Sequence, residues 1–188
     1  NIWEDALTLL RTAALFHDAG FLQQSEGHEE ISCIVARENL PDYGYTDGQI
    51  EHICRIIMAT RLPQNPSDHL SEILCDADLF YLGKEGYTEN AENLFREFKE
   101  TGIVKTETEW QLMQVEFLSS HSYFTGSAIN LLEETKQKTL KDLSSKLETA
   151  LSPQHQTQPV RVLEGILLTL LGVTISGIAL KLFLVPNH

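Results

Sequence analysis

An all-α fold is predicted by three features of the 188-residue sequence. Apolar residues recur at steps of three and four along most of the chain, no segment alternates apolar and polar residues as a half-buried strand does, and glycines and prolines punctuate the periodic stretches. The first helix spans residues 3–16, with Trp3, Leu7, Leu10, Ala14, Leu15 and Phe16 on its apolar side and Gly20 suited to a C-cap. The second starts near residues 26–28, carries Ile31, Ile34 and Val35, and is ended by Pro41. After a turn over 41–45, Thr46 and Gln49 form a capping-box pattern that opens a third helix, with Ile50, Ile53, Ile57 and Met58 inside.

A loop over 61–68 contains Pro63 and Pro66, and the fourth helix, 70–82, follows with Leu70, Ile73, Leu74 and Ala77 inward. The fifth, 89–100, buries Leu94, Phe95 and Phe98 and stops at Gly102, and the sixth, 107–118, carries Trp110, Met113 and Phe117. The seventh runs from 126 to 151, where Leu140, Leu143, Leu147 and Leu151 form one stripe. That stripe either packs against the rest of the domain or lets two copies of the chain associate as a homo-oligomer. Helical spacing is already under way at Ile2, so the domain is expected to begin upstream of Asn1.

Composition excludes one class of function and divides the chain. With 27 Asp+Glu against 14 Lys+Arg, the formal charge is −13, and a surface that coats nucleic acid needs the opposite balance. The acidity is uneven: 26 acids and 12 bases precede Arg161, a net of −14, and only Glu164, Arg161 and Lys181 carry charge beyond. Three widely spaced cysteines (Cys33, Cys54, Cys75) without a CxxC pair read as reduced core thiols. Residues 152–160, rich in Gln and Pro, read as a linker after a helical domain over 1–151. From Gly165 to Val185 the only charge is Lys181, and 21 residues of helix reach about 31 Å, so 161–185 is expected to be one transmembrane helix. On that expectation the membrane is a partner, and the chain is membrane-anchored with its soluble domain in the cytoplasm.

The sharpest chemical signal is His17-Asp18 in Leu15-Phe16-His17-Asp18-Ala19-Gly20, where an apolar helix ends. Neighbours on a helix diverge by about 100°, so both side chains reach one ion only if the helix stops there. Further on, Cys75-Asp76-Ala77-Asp78-Leu79 sets two acids among apolar neighbours, where carboxylates are costly unless paired or metal-bound. There is no GxGxxG, P-loop, GxSxG or CxxC motif.

Together AALFHDAGF at 13–21, GHEE at 27–30 and CDADLFYLG at 75–83 resemble the HD superfamily of metal-dependent phosphohydrolases, over roughly residues 1–130. The resemblance implies an HD-like helical bundle, truncated at its N-terminus because the family's first ligand His has no counterpart before His17. It implies His17, Asp18 and Asp78 as metal ligands, Asp78 being preferred to Asp76 because the family's Ala-Asp-x-Leu pattern is met by Ala77-Asp78-Leu79. His28 and Asp76 are the candidates for proton handling, with Asp76 either behind the ligands or on the surface. One divalent ion is expected, because the place of a second metal's histidines reads Met58-Ala59-Thr60-Arg61; Mn, Fe, Co, Zn and Mg all remain open.

Arg61 and Lys84 are placed to meet a phosphate, each with a plain surface role as the alternative, and His121 in His121-Ser122-Tyr123-Phe124-Thr125 matches a phrase of the bacterial subgroup and is expected over the pocket. His52 is expected to be a half-buried structural histidine. The implied function is hydrolysis of a phosphoester, a nucleotide or a related small phosphorylated molecule. The alternative is a membrane-anchored sensor or effector that binds a nucleotide without efficient turnover.

Overall fold

The computed structural model describes residues 2–152. They contain seven α-helices: α1 (Ile2–Phe16), α2 (His28–Asn39), α3 (Asp47–Met58), α4 (His69–Asp78), α5 (Tyr87–Glu100), α6 (Glu107–Ser120) and α7 (Gly126–Leu151). Short 3-10 turns at Ala19–Leu22, Leu40–Tyr43 and Phe80–Gly83 fill three of the connections. The fold of the described residues is therefore all-α, as expected, and they divide into two compact units that meet in sequence between Leu79 and Phe80.

In the first unit α3 packs against α1, α2 and α4. Its core is Ala13 of α1, Cys33 and Ala36 of α2, Ile50, Ile53, Cys54, Ile56 and Ile57 of α3, and Leu74 of α4, all buried. The capping box of α3 forms as the sequence suggests: the Thr46 hydroxyl accepts from the Gln49 N–H, and the Gln49 side chain accepts from the Thr46 N–H. Asp68 caps α4 by accepting from the Ser71 N–H at 2.9 Å, and its other oxygen meets His52 Nε2 at 2.8 Å. His52 is thus the half-buried structural residue expected, pinning the start of α4 to α3. The three thiols are free and buried.

Gly20 departs from expectation. It does not cap α1 but sits in the 3-10 turn, where a Cβ would lie 2.0 Å from the His28 carbonyl oxygen. Glycine is needed there for close approach of two backbones, and Ser32 fastens it: Gly20 N–H donates to Ser32 Oγ at 2.8 Å, and that hydroxyl donates to the His17 carbonyl at 2.7 Å.

In the second unit α7 packs along α6 and against the Phe80–Gly83 turn, where Gly83 lies so close to Leu132 that a Cβ would be 2.5 Å away. Trp110 stacks on Phe95 at 6.0 Å and meets Phe98 edge-on at 5.7 Å. Of the leucine stripe on α7, Leu143 and Leu147 are buried within the unit and Leu151 is exposed.

The membrane expectation is corrected. Among the described residues no helix is long and apolar enough to cross a membrane. The longest, α7, has 26 residues but carries Glu133, Glu134, Lys136, Lys138, Lys141, Asp142, Lys146 and Glu148, far too many charges for hydrocarbon. The segment 161–185, on which a transmembrane helix, a membrane partner and a membrane-anchored location rested, lies outside the described residues, as does the linker beyond Ser152.

Candidate functional site

The site residues of the first unit come from helix ends. Helix α1 stops at Phe16, and the His17 N–H still donates to the Ala13 carbonyl at 2.8 Å. Asp18 has already left the helical region (φ −105°, ψ 4°), which lets its carboxylate fold back beside the preceding imidazole. His17 donates from Nδ1 to the Ala14 carbonyl at 2.8 Å, which leaves Nε2 facing Asp18 Oδ2 at 3.2 Å and Asp78 Oδ1 at 3.6 Å. Asp78, the last residue of α4, is thereby brought to His17 from 61 positions along the chain.

His28 opens α2 after Gly27, whose φ of 66° is a left-handed conformation. Its ring stacks on Phe21 at 3.7 Å, Nδ1 donates to the Ser25 carbonyl at 3.0 Å, and Nε2 faces Asp18 Oδ1 at 3.4 Å. The pairs therefore run His28–Asp18–His17–Asp78, with Asp18 turning a different oxygen to each imidazole.

The electrostatics follow from this arrangement. Burial opposes charge on His17, but the hydrogen bond to Asp78 and the charges of Asp18 and Asp78 outweigh it and raise the imidazole to about 9. Burial likewise works against His28, and its partners Asp18 and Glu29 still raise it above the ordinary histidine value. Asp78 is raised because burial outweighs the help it receives from His17.

Imidazole nitrogens and carboxylate oxygens suit a divalent first-row ion. Ligands about 2.1 Å from an ion at a tetrahedral angle lie about 3.4 Å apart, and the separations of 3.2, 3.4 and 3.6 Å surround that value. The donor types therefore suit such an ion, but the side chains are engaged with one another. Among the described residues no group of three or more His, Cys, Asp or Glu side chains stands arranged to hold a metal ion.

Residues 1–81 match the HD domain family. The HD match spans the whole of α1–α4, and with it His17, Asp18, His28, Arg61, Asp76 and Asp78. It supports an enzyme of the phosphohydrolase type in general and the metal dependence general to that family. No curated protein and no solved structure matches the chain.

The other expected site residues are distributed as follows. Asp76 is 4% exposed, so it is not a surface residue. Arg61 forms an ion pair with Glu30, both half exposed, and the second oxygen of Glu30 is buried without a hydrogen-bond partner among the described residues. Lys84 and His121 lie outside the HD match, in the second unit. Lys84 Nζ stands 4.9 Å above the Phe80 ring, and His121 follows α6 with its ring edge-on to Tyr123 at 4.6 Å.

Two residues escaped the sequence reading. Glu29 is 2% exposed and sets Oε2 3.5 Å from His28 Nδ1, a buried carboxylate behind the imidazole; the only signal was its place in GHEE. Lys136 is 1% exposed, donating to the His121 carbonyl at 2.7 Å and pairing with Glu133 at 3.1 Å. Burial pushes Glu133 up, yet hydrogen bonds from Gln137 and Lys136 hold it below the usual range. Among Glu133, Glu134 and Lys138, a buried lysine carries no sequence signal.

Proposed function

We propose that the first unit hydrolyses a phosphoester, a nucleotide or a related small phosphorylated molecule, using one divalent ion held by His17, Asp18 and Asp78. The observation that carries this reading is the meeting at His17 of its neighbour Asp18 and the distant Asp78, at 3.2 and 3.6 Å, where two helices end. A bound divalent ion supplies Lewis-acid polarisation of a phosphoryl oxygen and a more acidic water.

The chain's own residues supply the rest. Asp78 and Asp18 hold negative charge where a cation is needed, and the Ala14 carbonyl keeps the His17 ring turned so that Nε2 faces them. His28, steadied by Phe21 and by the Ser25 carbonyl, keeps Nε2 for a proton at the Asp18 side, and Glu29 behind it favours that orientation. Arg61 offers a guanidinium to phosphate oxygens once it exchanges Glu30 for substrate. Asp76, buried in the same helix as Asp78, is assigned a positioning part.

The test is hydrolysis of bis(p-nitrophenyl) phosphate and a nucleotide panel with Mn²⁺. Turnover that is lost on chelation and in Asp18→Ala, with the folded helical signal kept, supports the reading. Metal uptake without turnover across the panel favours a nucleotide-binding sensor, and absence of metal uptake by the full-length protein overturns both.

A further inference from the structure

A cavity of about 300 Å³ opens in the first unit away from the His17 corner, lined by Arg37 of α2, by Glu51, Cys54, Arg55 and Met58 of α3, and by Ala59, Asn65 and Ser67 of the following loop. None of His17, Asp18, His28 or Asp78 lines it. Its floor is apolar, from Met58, Ala59 and the buried Cys54, and its rim is made of hydrogen-bond donors. Glu51 contributes the cavity's one carboxylate, and both its oxygens are taken by Arg37, from Nε at 2.7 Å and from the second nitrogen at 3.0 Å. That bidentate pair holds the Arg37 fork in place and leaves its remaining nitrogen for a ligand.

Arg55, by contrast, makes no hydrogen bond or close ion pair among the described residues, although its charge acts on the Glu51 carboxylate from farther off, and the side chains of Asn65 and Ser67 make no hydrogen bond among them either. The ionised groups of the wall are two guanidinium ions and one carboxylate, a positive spot in a chain whose net charge is −13. A wall of uncommitted donors calls for a ligand that brings acceptors, and an apolar floor calls for an apolar body beside them.

We infer that this cavity binds a small organic anion, a phosphate or phosphonate group carried on a compact apolar body, with Arg55 and Arg37 on the anion and Met58 and Ala59 under the body. The loop that lines the cavity also bears Arg61, which pairs with Glu30 beside the His28 helix start.

Phenylphosphonate is the probe, since its carbon–phosphorus bond keeps hydrolysis out of the measurement. Calorimetric titration of the full chain, in chloride buffer with a chelator present, should give saturable one-site binding that weakens at least about tenfold in Arg55→Gln. Arg55 is exposed, so that variant should fold, and Ser67→Ala should weaken binding by a smaller factor. Asp18→Asn should leave it unchanged. Binding that is absent up to millimolar probe, undiminished in Arg55→Gln, or lost in Asp18→Asn overturns the assignment, the last by moving the probe to the His17 site.

Discussion

Replacing Gly20 with alanine tests how the His17-Asp18 corner is held. The new Cβ would sit 2.0 Å from the His28 carbonyl oxygen, 2.8 Å from its carbon and 2.9 Å from the Ser32 nitrogen, all backbone atoms that cannot swing away. Ordinary contact begins at 3.4 Å, so the 3-10 turn and the start of α2 must part by about 1.4 Å, the difference between 3.4 and 2.0. Overpacking of this kind costs about 1–3 kcal/mol. Parting the segments also stretches the 2.8 Å bond from the Gly20 N–H to Ser32 Oγ beyond hydrogen-bond range, and a buried donor left unpaired costs about 1–3 kcal/mol more. Gly20→Ala should therefore lose about 2–6 kcal/mol of unfolding free energy in urea, against about 1–3 kcal/mol for Ser32→Ala, which removes the hydroxyl alone. Mn²⁺-dependent hydrolysis should fall with Gly20→Ala even where the protein remains folded, because His28 and Asp18 are the groups displaced. A loss within about 0.5 kcal/mol of wild type, the range of an indifferent surface change, would refute the close-approach argument.

Three other outcomes follow from the same contacts. In metal-free protein His17 should titrate near 9 by NMR, and Asp78→Asn should bring it down, because burial disfavours the charged imidazole and the hydrogen bond and charge of Asp78 help to overcome it; its stabilising part is complete below the unfolded histidine value of about 6.5 and is lost as pH rises through 9. Asp68→Ala should cost about 1 kcal/mol through the lost cap of α4, and burial notwithstanding, hydrogen bonds from Ser71 and His52 hold Asp68 below its ordinary value. Its contribution is present above pH ~4 and fades as pH falls through the lowered folded value, so the difference between variant and wild type in urea denaturation should narrow at pH ~3. Lys136→Met should destabilise by about 1–3 kcal/mol, since it takes from the His121 carbonyl the ammonium that donates to it, whereas Glu133→Gln should cost less because Glu133 keeps partial access to water.

What could be read from the chain and what could not divides along physical lines. Helix α3 was legible to the residue at its start because Thr46 and Gln49 encode the cap in four positions, and α7 runs from 126 to 151 as its spacing suggests. The end of α4 was not: Leu79 to Leu82 continue the apolar spacing, but the chain leaves the helix at Asp78 and tightens into a 3-10 turn that sets Gly83 on Leu132, a contact 49 residues distant. Helix α5 begins at Tyr87 rather than 89, after Gly86 at φ 87°. His17, Asp18 and Asp78 stood out because charged groups interrupt apolar runs, and their mutual approach is a tertiary fact that spacing alone does not contain. Glu29 and Lys136 were hidden because acids and lysines in helices ordinarily face water, and only the fold decides which is buried.

Helix α2 carries His28 at its first residue and Arg37 in its last turn. Nine residues at about 1.5 Å put roughly 14 Å between them, and one added or deleted residue would turn everything beyond it by about 100°. A length change inside α2 therefore cannot keep both His28 against Asp18 and Arg37 against Glu51, whereas the turns before Gly27 and after Leu40 can absorb one. Among natural variants of this sequence, insertions and deletions should gather in those two turns and spare the twelve residues between them.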